Sequence, residues 1–419
     1  MLKKILTIVV LLLLSSSGYA GGLYLYEVGV TEVALAGAGF AARADDAMTV
    51  FTNPAGMTRL DGRQLEVTVM PIFAQVDFNP DAATNVPGSS GDANAVLPGA
   101  GVYYSQKIND KMAWGVSFGG YFGSALDYDD DWVGRYYIDE VTLQAVGLQP
   151  AFAYKVSDKL SLGAGIVFLY GLVDETVAVN NPEPGLGDGK LVLDDKDLSF
   201  QFNLGLLYEF DDDTRVGIQY LSEGDLDFGT NTTGSDFGPV INAIIDRAGL
   251  ADTDLDLGFT LPQSLMFSMY NELNEDWAIM GNIGWQDWSE FGKVGVSFDD
   301  PESQSVVANR NYDDTWHIAL GAQRMLENGW EISMGIAYDS SMVETEFRSL
   351  DLPVGDNWRF GIGARLPRSE NFDIKFGYEL LWSGDLPLDV NRGRLSGRVS
   401  GEFTDTATHF LGFGISRRF

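Results

Sequence analysis

Few side chains in this sequence could do chemistry, and they are scattered. The 419 residues contain two histidines and no cysteine. Disulfides and thiolate metal sites are therefore excluded. A hydrolase built on His317 would need a Ser or Asp partner, and no nucleophile motif accompanies it. Asp252-x-Asp254-x-Asp256 has calcium-loop spacing, but Leu257 stands where that loop requires Gly. Loose divalent-cation binding by acidic loops is the most it suggests. Gly37 to Ala42, G-A-G-F-A-A, fits the loose dinucleotide pattern but has no preceding strand and no βαβ unit. Four cations, Arg215, Arg359, Arg365 and Lys375, each sit one position away from apolar neighbours. Each is placed to hold a carboxylate by charge-assisted hydrogen bonds. The expectation is binding rather than catalysis: no enzyme, no cofactor and no metal site.

The elements carrying those cations alternate with period two. Phe200, Phe202, Leu204, Leu206, Tyr208 and Phe210 are separated by Gln201, Asn203, Gly205, Leu207 and Glu209. Trp330 to Tyr338 and Phe372 to Trp382 behave likewise, as do 160–170, 216–220, 277–285 and 358–366. This is the pattern of strands with one apolar face. In it Val216, Trp358, Phe360, Leu366 and Ile374 face outward, so the four cations face inward. Aromatic residues close the segments at both ends. Eight tilted residues cover roughly 20 Å, close to the height of a membrane barrel's apolar band.

Connections alternate short and long. Short polar turns fall near 109–110, 157–158, 211–213, 274–275, 327–329 and 369–371. Long ones fall at about 79–96, 124–140, 174–196, 228–256, 300–311, 340–355 and 384–404. Six turns and seven long loops join fourteen strands, provided 275–299 is one long strand. The last strand keeps Leu411, Phe413, Ile415 and Phe419 on one face and ends on an aromatic residue. The fold class expected is all-β: a transmembrane antiparallel β-barrel of about 14 strands over 63–419.

The chain opens with a leader, 1–20: Lys3 and Lys4, an apolar run from Ile5 to Leu14, then small residues ending at Ala20. The run is too short to span a bilayer as a helix and reads as a cleaved signal peptide. Formal charge is −33; loss of Lys3 and Lys4 takes the mature chain to −35. Such a surface repels nucleic acid. Between leader and barrel, residues 21–62 are rich in Ala and Gly, with Leu35, Phe40, Val50 and Phe51 among them. The Asn53-Pro54 turn sits in this segment. It reads as a plug folded into a lumen wider than side chains alone would fill.

The run A-G-A-G-F-A-A-R-A-D-D-A-M-T-V-F-T-N-P-A-G-M resembles the N-terminal hatch of the FadL/TodX (OMPP1) family of outer-membrane transporters. Asp45-Asp46 matches its acidic pair and Asn53-Pro54-Ala55 its Asn-Pro-Ala motif. Further blocks are similar in the same order: Tyr121 to Tyr128, Trp132 to Arg135, Leu261 to Leu265, Trp277 to Phe291, Tyr312 to Gly321 and Gly335 to Ser341. The resemblance implies uptake of long-chain fatty acids, with aromatic or alkane hydrocarbons as the alternative cargo. It implies passive diffusion past a movable hatch and lateral release at a kink in the third strand. On this sequence the kink would fall at Phe122-Gly123. A fatty acid would need a carboxylate partner among Arg215, Arg359, Arg365 and Lys375. Ile241 to Leu250 reads as a short amphipathic helix in the fourth long loop, ending near Gly249. Expected partners are the hydrophobic cargo, outer-membrane lipid and lipopolysaccharide, and the barrel assembly machinery. An outer-membrane lipid hydrolase using His317 and a general porin are the readings from other classes.

Overall fold

The computed structural model describes residues 25–248, 255–298 and 306–419. The leader 1–20, Asp252, Asp254 and Gly249 lie outside the described residues. In Glu140–Lys155 every second residue is buried, Gln149 completely, while Val146, Leu148, Phe152 and Tyr154 between them are exposed. Around the molecule the exposed face carries Phe200, Phe267, Ile318, Ile362 and Phe413. Glu66, Ser268, Asn203 and Glu379 are buried. Soluble packing puts the apolar face inside. The inversion here requires hydrocarbon outside the wall.

The barrel strands are β1 (Arg63–Pro80), β2 (Ala95–Asn109), β3 (Met112–Asp127), β4 (Glu140–Lys155), β5 (Leu160–Val179) and β6 (Gly189–Glu209). Then come β7 (Thr214–Leu221 and Gly224–Ser235), β8 (Leu255–Leu261 and Ser264–Asn274), β9 (Trp277–Gln286 and Lys293–Phe298) and β10 (Val306–Asn309 and Thr315–Met325). The last four are β11 (Glu331–Asp339), β12 (Asn357–Ser369), β13 (Phe372–Asn391) and β14 (Arg398–Arg418). Each pairs antiparallel with its sequence neighbours. β14 closes the ring on β1, from Gln64 opposite Arg418 to Pro80 opposite Gly401. The Phe419 backbone N–H donates to Arg63 O at 2.9 Å, so the aromatic terminus is tied into the seam.

The sequence reading of the wall holds in number and pairing, and is corrected in two places. The stretch 275–299 is not one uninterrupted strand. A four-residue helical turn, Trp288–Phe291, breaks β9. Its two halves still pair with the two halves of β10, so the strand count survives. The long loops are also shorter than expected. β5 and β6 run 20 and 21 residues, beyond the 9–11 or so that cross a bilayer. They continue past the membrane as paired ribbons, taking in residues that polarity alone assigned to loops. β13 and β14 do the same.

The inward face divides into two zones. Near the short turns it is polar and glycine-rich. Toward the long loops Val141, Leu143, Leu169, Leu226, Phe228, Leu257 and Phe259 join one apolar core with loop residues Tyr128, Trp132, Ile138, Leu350 and Leu352. Trp132 stacks on Tyr128 at 3.8 Å. Arg135 reaches Asp188 at 2.8 Å and Pro87 O at 2.8 Å, joining three long loops above the barrel. The helix foreseen at Ile241 to Leu250 is present as Pro239–Ala248.

Candidate functional site

Residues 25–60 occupy the lumen. They form helix α1 (Val30–Leu35), a short helix α2 (Thr49–Thr52) and a 3₁₀ turn (Pro54–Arg59). α1 packs on β10 to β14, and the 3₁₀ turn packs on β2 to β6. The segment therefore bridges opposite walls. Wall glycines permit the approach. A Cβ on Gly335 would sit 1.9 Å from Leu35 O, and one on Gly217 1.9 Å from Ala41 O. No side chain could occupy either position without displacing backbone. Within the G-A-G-F-A-A run, Gly37 and Gly39 adopt φ of 76° and 78°. The wall receives them: Asn282 Oδ1 accepts from Gly39 N at 2.6 Å, and Ser268 Oγ accepts from Ala41 N at 2.9 Å.

Asn53 joins segment to wall. Its Oδ1 accepts from Ala55 N at 3.1 Å, capping the 3₁₀ turn. Pro54 occupies the first position of that turn, where the missing N–H costs nothing. Asn53 Nδ2 donates to Ala41 O at 2.6 Å and to Leu206 O, on β6, at 3.0 Å. Ala55 and Pro54 lie against Gly163, where a Cβ would come 2.2 Å from Ala55 N. Asn203 and Gln149 bind the carbonyls of Phe51 and Val50 from the wall. These luminal amides were missed from sequence. Their only signal is a buried-face Gln or Asn where a plain barrel lumen would also put one.

The structure places all four expected cations inside, already partnered. Lys375 Nζ bonds Asp46 at 2.7 Å and Glu66 at 2.8 and 3.0 Å. Arg359 bonds Asp339 at 2.5 Å, with Glu27 and Glu379 also on its guanidinium. Arg365 pairs with Glu331 at 2.6 Å. Arg215 Nε donates to Ala42 O at 2.8 Å, and its guanidinium lies 3.7 Å over the Tyr270 ring. Three of the four thus hold the N-terminal segment: Lys375 through Asp46, Arg359 through Glu27, Arg215 through backbone. Arg43 gathers Glu32, Asp45 and Asp46. Burial pushes the Asp46 carboxyl up, but Lys375 and Arg43 outweigh it and hold it well below the usual carboxylate range.

β3 leaves its neighbour part-way up. Its pairing with β2 ends where Gly101 lies opposite Gly119. Beyond that point β2 pairs only with β1, and residues 120–127 of β3 pair only with β4. The β3–β4 register slips between Gly120 and Phe122. The irregularity thus centres on Tyr121, just before the Phe122-Gly123 position expected. Two aromatic contacts meet here. Tyr121 packs on Phe51 of the N-terminal segment at 4.5 Å, and Phe122 lies 5.6 Å from Phe291 in the β9 break. His317 faces inward as expected. Its Nδ1 is 2.6 Å from Asp339 Oδ1, and its ring stacks on Tyr26 at 4.0 Å. No group of three or more His, Asp or Glu able to hold a metal occurs among the described residues.

A family model described as "Outer membrane protein transport protein (OMPP1/FadL/TodX)" matches residues 11–419. Outer membrane protein P1 of Haemophilus influenzae is 28% identical over 413 residues, 88% of each chain. A long-chain fatty acid transport protein of Escherichia coli is 27% identical over 394 residues, 87% of each. Among solved structures, a Pseudomonas aeruginosa FadL homologue superposes with a TM-score of 0.81 at 21% identity, covering 96% of this chain and all of that one. The Pseudomonas putida toluene transporter TodX gives 0.69 at 14% identity, covering 93% and 98%. With the family model spanning nearly the whole chain and the same barrel in these neighbours, the protein belongs to the OMPP1/FadL/TodX family of outer-membrane transport proteins.

Proposed function

We propose that this protein takes up long-chain fatty acids or similar hydrophobic molecules by passive diffusion, with residues 25–60 acting as a hatch and cargo leaving sideways into the membrane. The observation that carries the reading is the wall beside β3. Residues 120–127 have no β2 partner, and the Tyr121 irregularity touches the lumen segment at Phe51. An apolar cargo gains nothing from an aqueous pore, whereas a side exit delivers it into hydrocarbon. The names of the relatives, a long-chain fatty acid transport protein and a toluene transporter, bracket the cargo class.

In this reading Asn53-Pro54-Ala55 and Asp45-Asp46 are the hatch's wall anchors, and Phe122-Gly123 borders the exit. Outer-membrane lipid and lipopolysaccharide surround the wall. The last strand, β14, addresses the barrel assembly machinery. Aromatic or alkane hydrocarbons are the second cargo reading, favoured by the charge of −33 and by the prior engagement of all four luminal cations. Transport is favoured over hydrolysis because His317 Nε2, which would take a nucleophile's proton, has no hydrogen-bond partner among the described residues.

Growth on a long-chain fatty acid as sole carbon source, in a host lacking its own transporter, tests this. Expression of the full chain is expected to restore growth. No rescue on fatty acid or hydrocarbon, with free small-ion conductance by the purified protein, would contradict it and favour a general porin.

A further inference from the structure

Glu175 stands in β5 beyond Tyr170, the last exposed aromatic of that strand, and so lies above the membrane. It is only 1% exposed. Neither of its carboxyl oxygens has a hydrogen-bond partner among the described residues. Its neighbours on the inward face, Val173 and Val177, share one apolar core with Tyr128, Tyr312, Leu350 and Leu352. A carboxyl in such a place costs far less to bury neutral than charged. Water reaches it only if the loops around it part. Tyr128 donates to Leu350 O at 3.3 Å, and Tyr137 to Gly397 O at 2.6 Å. The Asp139 amide donates to Thr176 O at 2.9 Å and the Ala178 amide to Arg135 O at 3.0 Å, tying the loop after β3 to β5 beside Glu175.

The charged groups facing Glu175 come from three other elements. Asp351, in the loop after β11, pairs at 3.1 Å with Arg310, in the link between the halves of β10. Arg392, in the loop after β13, lies over the Tyr137 ring at 4.7 Å. Its Nη1 has no hydrogen-bond partner among the described residues. Burial keeps the Tyr128, Tyr137 and Tyr312 hydroxyls protonated. Burial is also the largest influence on Glu175, and Asp351 adds to it. Arg310 and Arg392 offset only part, so the carboxyl rises from 4.5 to about 8. With the loops in place, Glu175 is neutral at pH 7.

We infer that the long loops form a proton-linked lid over the outer end of the lumen, closed while Glu175 is buried and neutral, and releasing one proton to water as the loops part. Once the lid is open, the carboxyl returns to its ordinary range. Between 4.5 and about 8 the closed lid therefore carries one proton more than the open one. Its opening equilibrium rises about tenfold for each pH unit across that window and levels off above it. Acid holds the lid shut, and rising pH loosens it. This linkage is independent of what the barrel carries.

The test is hydrogen exchange of the purified full chain in detergent, read at the Asp139 and Ala178 amides with intrinsic rates removed. Between about pH 6.5 and 7.5 the opening of the wild-type lid should rise about tenfold, one proton's worth. Asp139 titrates lower, at about 6, and contributes less than about twofold in that interval. Glu175→Gln keeps the shape and the neutral state, so its lid should stay closed and change by less than about twofold over the same interval. Arg392→Met removes a cation that favours the charged carboxyl, so its opening should go on rising to about pH 9, past the point where the wild type levels off. Wild-type exchange that is flat between pH 6.5 and 7.5 would overturn the inference. So would an equal rise in Glu175→Gln, which would assign the proton to another group. If Glu175→Gln fails to assemble, Arg392→Met decides: a plateau at the wild-type pH would count against Glu175.

Discussion

Lys375 is the residue on which the lumen segment's attachment depends most visibly. It is buried with Asp46 from the segment and Glu66 from β1. Removing one partner of a buried charge cluster leaves the others uncompensated, at a cost of about 3–5 kcal/mol. Lys375→Met is therefore expected to loosen residues 25–60 while sparing the wall, whose ladder it does not touch. Limited proteolysis checks this: new cleavage within the segment, with the barrel core resistant, is the expected pattern. Asn53→Ala removes a cap and two carbonyl contacts, but no charge. Its effect should be smaller, about 0.5–2 kcal/mol for the cap, and the ranking of the two variants is itself a check. The inward direction of these cations was legible in the sequence because period two assigns faces strictly. Their partners were not, since Glu66, Asp46 and Lys375 are brought together only by barrel closure and by the path of the segment.

At the scale of elements, the β3 irregularity and the loop above it carry separate expectations. Deleting Tyr121 removes the extra residue, so β3 pairs evenly with β4, Phe122 stays opposite the inward-facing Ala145, and the ring that packs on Phe51 is lost. With the bulge and the Phe51 contact gone, uptake should be lost while the barrel still assembles; uptake unchanged would remove the side exit from the account. The loop following β3 is pH-sensitive. Burial, reinforced by the negative charge of Asp130, raises the Asp139 carboxyl from 3.8 to about 6. The folded loop then holds a proton between those values that the unfolded chain does not. The loop is accordingly more stable at pH 5 than at pH 7, and that gain fades as pH rises through about 6. Hydrogen exchange at the Tyr128 amide, which donates to Asp139 O at 2.9 Å, should be slower at pH 5 once intrinsic rates are removed. Equal protection at both values would contradict it. The break in β9 was hidden from sequence. W-S-E-F continues an aromatic run that reads as strand, whereas in the fold Trp288 and Phe291 turn inward against Phe122.

For the whole molecule, strand number and closure were the most legible features. An apolar face exposed on every strand has one solution, a closed wall in a membrane. The lumen segment was legible in outline from its small residues. Its close fit to Gly217, Gly335 and Gly361 was not, because a glycine on a strand's inner face looks the same whether or not a backbone passes it. The central claim is that residues 25–60 block the lumen and that cargo passes by their movement. The single-channel conductance of a variant lacking residues 21–55, compared with the full chain in planar bilayers, tests it most directly. The full chain should conduct small ions poorly, and the deletion should open large, steady conductance steps. Equal conductance in both would contradict the account.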